Sequence, residues 1–555
     1  MRFRGLIGTV FACSMLASLP RTAQACGGTF CDTGPTAMPV DQTGENVVFV
    51  MSDAGVEAHI QIQYQGEADK FAWVIPVQDI PEFEVGSQLL FNNLLQASVP
   101  SYGYTTTRDT CENTPQFRSG GNATGGPGVN LEDGAGGPTV VLRQAVGAFE
   151  VVVLSGGTAA EVSEWLDTNG YQQSDMAPVV LDDYVRAGFV FAAVKLRGGA
   201  GVNEIHPLVI RYPNGAPCVP LKLTAVAAVE NMGVRTFFLG QGRVVPKTYK
   251  HVTLNQARID WLNFGSNYTD VVTRAADSPL ADGRAFVTEY AGSSTVVSPA
   301  NIFSQTWDAS RFQSIEPIEV VNELTVQGLV SFCDSATCSY SHPLVGPLLN
   351  QYLPVPAGRS EGTFYGCLSC AAADIDMTAW DAAGFSADFA ARIVEPGRHA
   401  AALLADNPYL TRMFTTISPA EMIADPEFHE RADLPDVALP GLATRRIMCN
   451  DVNVFTLPDA TQVILPTSSS PWPVISESMP WAATVEEMPE SGAPIMLADH
   501  RTSIDAEVDA YNDAQIKPAS GCACRAPGPA STPAGGVVVA LLLCLGLVGR
   551  RRRPS

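Results

Sequence analysis

Glu57-Ala-His-Ile-Gln-Ile-Gln-Tyr-Gln65 alternates without a break, with Ala58, Ile60, Ile62 and Tyr64 on one side and Glu57, His59, Gln61 and Gln63 on the other. A period of two is the pattern of a strand that buries one face. Residues 46–51 before it are mostly β-branched or aromatic, and Ser52-Asp-Ala-Gly55 supplies a turn, so the two runs read as the start of a β-meander. After a second turn at 66–69, residues 71–77 are apolar on both faces, which marks a central strand.

Working outward, residues 83–97 change to helical spacing, with Leu90, Leu94 and Ala97 aligned beside Phe91 and Leu95. Residues 119–138 hold eight glycines and almost no large apolar side chain, so a flexible insertion is expected there. Strands follow at 139–143 and 148–154. A helix opened by the capping pair Thr158 and Glu161 then ends at Asn169-Gly170, and a second, 177–187, stops at Gly188. Further strands are expected at 189–196, 207–212, 219–226 and 234–239. Beyond 252 the pattern turns more helical, with helices at 374–393 and 397–405, strands at 452–457 and 462–465, and a last helix at 502–511 opened by Thr502 and Asp505.

The expected fold class is α+β: an antiparallel, β-rich N-terminal part with flanking helices and a more helical C-terminal part. Three regions are expected: 26–250 containing the glycine-rich loop, 251–450 with a cysteine cluster, and a short mixed extension at 451–517.

Both ends read as addresses. Arg2 and Arg4 precede an apolar stretch at 6–19, and Ala23-Gln24-Ala25 is a small-x-small cleavage pattern, so residues 1–25 read as a signal peptide and the mature chain should begin at Cys26. Without the Leu usual three positions before a lipidated cysteine, ordinary cleavage is expected. At the other end a Pro/Gly/Ala linker, 518–536, leads into an uncharged segment, 533–549, and then Arg550, Arg551, Arg552 and Arg553 within the basic end 550–555. That segment would reach about 25 Å as a helix, a little short of the roughly 30 Å hydrocarbon core. The arginines would hold this end in the cytoplasm, giving one transmembrane segment with the body outside. Cys522-Ala-Cys524-Arg525, the spacer, the span and the Arg cluster together resemble the MYXO-CTERM sorting signal of myxobacterial surface proteins. The resemblance implies recognition by an intramembrane sortase, cleavage near the cysteine pair, and surface anchoring or release. Implied partners are signal peptidase and the export machinery, that sortase, and the membrane.

Lys and Arg number 34 against 57 Asp and Glu, a net charge of -23, which argues against nucleic acid or anionic lipid as partner. Of 13 cysteines, Cys13 lies in the signal, Cys544 in the span and Cys522 and Cys524 in the sorting motif, which leaves nine in the body. In an oxidising compartment disulfides are the default, with Cys26, Cys31, Cys333, Cys338, Cys367 and Cys370 as candidates and one cysteine left odd. Four thiolates at Cys333, Cys338, Cys367 and Cys370 could instead hold zinc, a reading that oxidation competes against.

Several further segments match together. Ala25-Cys-Gly-Gly-Thr-Phe-Cys31 is followed by Pro39-Val-Asp-Gln-Thr-Gly-Glu45, by the strand above, and by Phe71-Ala-Trp-Val-Ile-Pro-Val77. Ala148-Phe-Glu-Val, Trp165-Leu through Gly170-Tyr171, Asn407-Pro-Tyr-Leu-Thr-Arg412 and Asp425-Pro-Glu-Phe428 continue the order. The chain resembles the bacterial family called domain of unknown function 2330, from about Cys26 to Asn450. That resemblance brings no catalytic residue with it.

Nor does the chain carry an H-E-x-x-H or G-x-S-x-G motif. His59, among glutamines on the polar face of a strand, reads as a solvated or edge histidine. No cofactor is implied. The expectation is an exported envelope or surface protein with a binding or structural role rather than a catalytic one. The alternative is an extracellular hydrolase of dispersed residues, which a pocket joining His59 or His206 to a carboxylate and a Ser or Cys would favour.

Overall fold

A computed structural model describes residues 41–52, 55–65, 71–110, 138–171, 177–213, 216–226 and 228–516. The signal-like start, Cys26, Cys31, nearly all of the glycine-rich loop, Cys522, Cys524, the apolar segment 533–549 and the arginine run lie outside the described residues. Among the described residues no helix is long and apolar enough to cross a membrane.

The fold is mixed α/β, built on a ten-stranded sheet. In chain order its strands are β1 (Asp41–Ser52), β2 (Gly55–Gln65), β3 (Glu82–Val85), β4 (Leu208–Tyr212), β5 (Ala228–Gly240), β6 (Lys250–Leu254), β7 (Ala285–Ser293), β8 (Tyr409–Ile417), β9 (Ala482–Glu487) and β10 (Ile495–Asp499). In space they run β10-β9-β6-β7-β8-β5-β1-β2-β4-β3. β1 pairs antiparallel with β2, the expected meander, but lies parallel to β5, with Val47 opposite Thr236. β6 and β7 are parallel too, so the expected antiparallel sheet is a mixed one. The described residues up to Gln515 form one compact unit, and the sheet takes strands from both sides of residue 250.

The pleat sorts β1 between two cores. Val47 and Phe49 face a second, four-stranded antiparallel sheet (Ala72–Val77, Val190–Leu196, Phe149–Ser155, Thr139–Val146), where they meet Trp73, Ile75 and Val153. Val48 and Val50 face helices and pack with Leu90, Phe91, Leu348 and Phe389. The second sheet's other face is covered by the helices Ala159–Thr168 and Ala177–Arg186 through Val162, Trp165 and Leu181. The first of these carries the capping box: Thr158 Oγ1 accepts from Glu161 N at 3.3 Å, and Glu161 Oε2 from Thr158 N at 2.7 Å. The layers are therefore helix, sheet, sheet, helix, with both faces of the ten-stranded sheet covered where β1 and β2 run.

Four local readings change. Residues 71–77, read as a central strand, form Ala72–Val77 at the edge of the four-stranded sheet, though buried on both faces. The stretch 83–97 begins as β3, because Phe83 is buried between exposed Glu82 and Glu84; the helix is Gln88–Ser98, capped by Ser87. Residues 219–226 hold a helical turn, Leu221–Thr224, instead of a strand: Pro220 has no N–H for a ladder but suits the start of a helix. The helices expected near 374–405 are Ala382–Phe389 and Glu395–Asp406, joined by a π-turn, Ala390–Val394. Pro396 follows that turn, and the wider turn relieves the clash a proline imposes on the preceding carbonyls.

Candidate functional site

Glu45 shares its side of β1 with Val47 and Phe49, so it points into the core between the two sheets. It is 2% exposed, and its Oε2 has no hydrogen-bond partner among the described residues. Burial pushes its carboxyl up to about 7. Glu45 lines a pocket of about 290 Å³ whose floor is apolar, from Phe49, Ile60 and Ile75. The far wall brings Tyr184, Cys218, Asp425 and Glu427. Tyr184 Oη donates to Asp425 Oδ2 at 2.7 Å and the Lys222 amide donates to Oδ1 at 2.9 Å. Burial still raises the Asp425 carboxyl against these bonds. Three carboxylates thus line a space where, among the described residues, no lysine, arginine or histidine side chain appears.

Among the described residues Cys218 is a free cysteine. Burial, with Asp425 and Glu427 nearby, pushes its thiol up, so it stays protonated and a poor nucleophile.

The other face of β2 carries a second cluster. His59 is 1% exposed, not solvated as its glutamine neighbours suggested. The helix Glu395–Asp406 covers this face and brings His399 to it, a contact between positions far apart in the chain. His59 Nε2 lies 2.6 Å and His399 Nε2 2.5 Å from the same oxygen, Glu57 Oε1, while Arg211 Nε donates to Oε2 at 2.7 Å. Burial alone would raise the Glu57 carboxyl, but the bonds from His399, His59 and Arg211 outweigh it and hold the group well below the usual carboxylate range. Burial keeps the His59 imidazole below its ordinary value despite Glu57.

All these residues fall within one family match. The model of a family described as uncharacterized protein conserved in bacteria, DUF2330, matches residues 20–428. The chain belongs to the DUF2330 family. The match ends short of Asn450 and leaves the last two strands of the DUF2330 chain's ten-stranded sheet outside it. No curated protein and no solved structure matches this DUF2330 chain.

Of the residues singled out in sequence, Cys333 is at disulfide distance from Cys338, and Cys367 from Cys370. Each pair closes a short loop beside the helical core, and Cys449 is disulfide-bonded as well. His206 is structural: its Nε2 accepts from the Ala148 amide at 3.1 Å, so Nδ1 carries the hydrogen and donates to Pro207 O at 2.9 Å. Its ring packs against Phe149. Glu45 and Asp425 entered the sequence reading only within family-like segments, and Cys218 and His399 were given no role there.

Burial lowers His206 and His342 to about 4, against 6.5 unperturbed. The unfolded chain protonates these histidines near 6.5 while the folded one resists until about 4, so stability is lost as pH falls through that window. Each contributes on the order of 3 kcal/mol. Urea unfolding midpoints measured from pH 7.5 to 4.5 should fall, and His206→Gln should flatten part of the slope.

Proposed function

We propose that this protein is exported to the bacterial cell envelope and there binds a small organic cation between its two sheets. One observation carries the binding reading: Glu45, a buried carboxylate with an oxygen unpartnered among the described residues, lines the pocket. A buried acid without a partner is costly, and a positively charged group placed in the pocket would satisfy it. Asp425 and Glu427 add the same sign, partly offset by Lys222 and Lys247 behind them, and Phe49 and Tyr212 offer aromatic surface for a substituted ammonium. The volume suits a small molecule. Export is supported by the basic start, the Ala-Gln-Ala pattern, the apolar segment 533–549 and the arginine run. For the hydrolase alternative, the His59–Glu57 pair has no serine or cysteine hydrogen-bonded to it among the described residues.

Calorimetric titration of the purified protein with benzyltrimethylammonium, and with benzyl alcohol as the neutral comparison, tests the reading. The cation should bind at pH 8 with affinity falling about tenfold per pH unit below 7, as the Glu45 proton competes. Equal or tighter binding of the alcohol would sink the proposal.

A further inference from the structure

We propose that Glu57, His59 and His399 form a binding site for a divalent transition-metal cation. Glu57 Oε1, His59 Nε2 and His399 Nε2 all lie within 4.8 Å of one another. Two imidazoles and a carboxylate with positions left open are a ligand set that zinc and iron(II) take in proteins. The rings are nearly parallel, 11° apart with centroids at 5.9 Å, and both Nε2 atoms reach the same Glu57 oxygen.

Hydrogen bonding alone satisfies this cluster poorly. His399 Nε2 must hold a hydrogen to donate to Glu57 Oε1, yet Arg211 Nη2 at 3.1 Å needs a lone pair on the same nitrogen. A cation between the three ligands would take the lone pairs of both Nε2 atoms and of Oε1. Arg211 Nε would remain on Oε2 as the outer partner that orients a metal-bound carboxylate, itself paired with Glu84. His399 is one-third exposed and lines a cleft of about 580 Å³ with Arg211, Glu395 and Arg398, which gives an ion its entry and leaves room for water ligands. The Arg211 charge opposes a cation at this distance and weakens the site.

This site is independent of the inter-sheet pocket: Glu57 and His59 point from one face of β2, Ala58 and Ile60 from the other. The test is a Co²⁺ titration of the untagged, metal-stripped full chain, followed by visible absorption and then by Zn²⁺ displacement. Wild type should develop a ligand-field band that saturates at one equivalent and is abolished by Zn²⁺. His399→Gln, at a partly exposed position, should lose the band while its circular dichroism matches wild type. His59→Gln should lose it too. No band in wild type, or equal binding by wild type and His399→Gln, would overturn the proposal.

Discussion

Glu45→Gln should make the protein more stable at pH 8 and unable to bind a cation. The Glu45 carboxyl rises from 4.5 to about 7 on folding, so between those values the folded chain holds a proton the unfolded chain has released. Stability from this group is full below 4.5 and is lost as pH rises through about 7; at pH 8 the folded protein carries the whole cost of a buried, unpartnered charge. That cost is on the order of 3 kcal/mol. A neutral amide removes it, so Tm at pH 8 should rise by several degrees, and the difference from wild type should shrink towards pH 4.5. Stabilisation joined to loss of binding is what a group kept for function at the expense of stability gives. Equal Tm values at pH 8 would mean that Glu45 is satisfied in some other way.

Arg412→Met should be the most damaging of the substitutions considered. Arg412 and Glu289 are 2% and 1% exposed and pair across β8 and β7. Glu289 is the extra residue at a register shift in β7, and such a bulge re-aims a side chain. Tyr268 Oη donates to Glu289 Oε1 at 2.6 Å, and Arg412 Nη1 also reaches Ser98 Oγ at 3.2 Å on the helix Gln88–Ser98. The pair therefore ties the sheet to its helical layer. Removing the guanidinium strands a buried carboxylate and should cost about 3–5 kcal/mol. Arg412→Met with Glu289→Met should recover much of that loss, because neither charge remains to be desolvated. Urea midpoints of the two singles and the double check it. A double variant no better than Arg412→Met would show that Glu289 is not the source of the damage.

The alternation of β2 and the capping pair at Thr158 and Glu161 were legible because each is written within a few residues. The buried polar face of β2 was not. Its cover is a helix whose His399 lies 342 positions beyond Glu57, and a strand's own pattern records nothing of so distant a layer. The parallel pairing of β1 with β5 is hidden for the same reason. Cysteine parity carries no position, so it could not point to Cys218, which is free among the described residues. Glu45 had a local signal: it shares parity with Val47 and Phe49, and a strand read from 41 instead of 46 would have placed an acid in an apolar row. Glu57-x-His59 likewise put two polar ligands on one face of one strand.

Calorimetry of benzyltrimethylammonium binding at pH 6, run in two buffers of different ionisation enthalpy, counts the protons that accompany binding. If the pocket takes a cation against Glu45, wild type should release close to one proton per ligand and Glu45→Gln none. Binding whose heat is the same in both buffers would contradict the account.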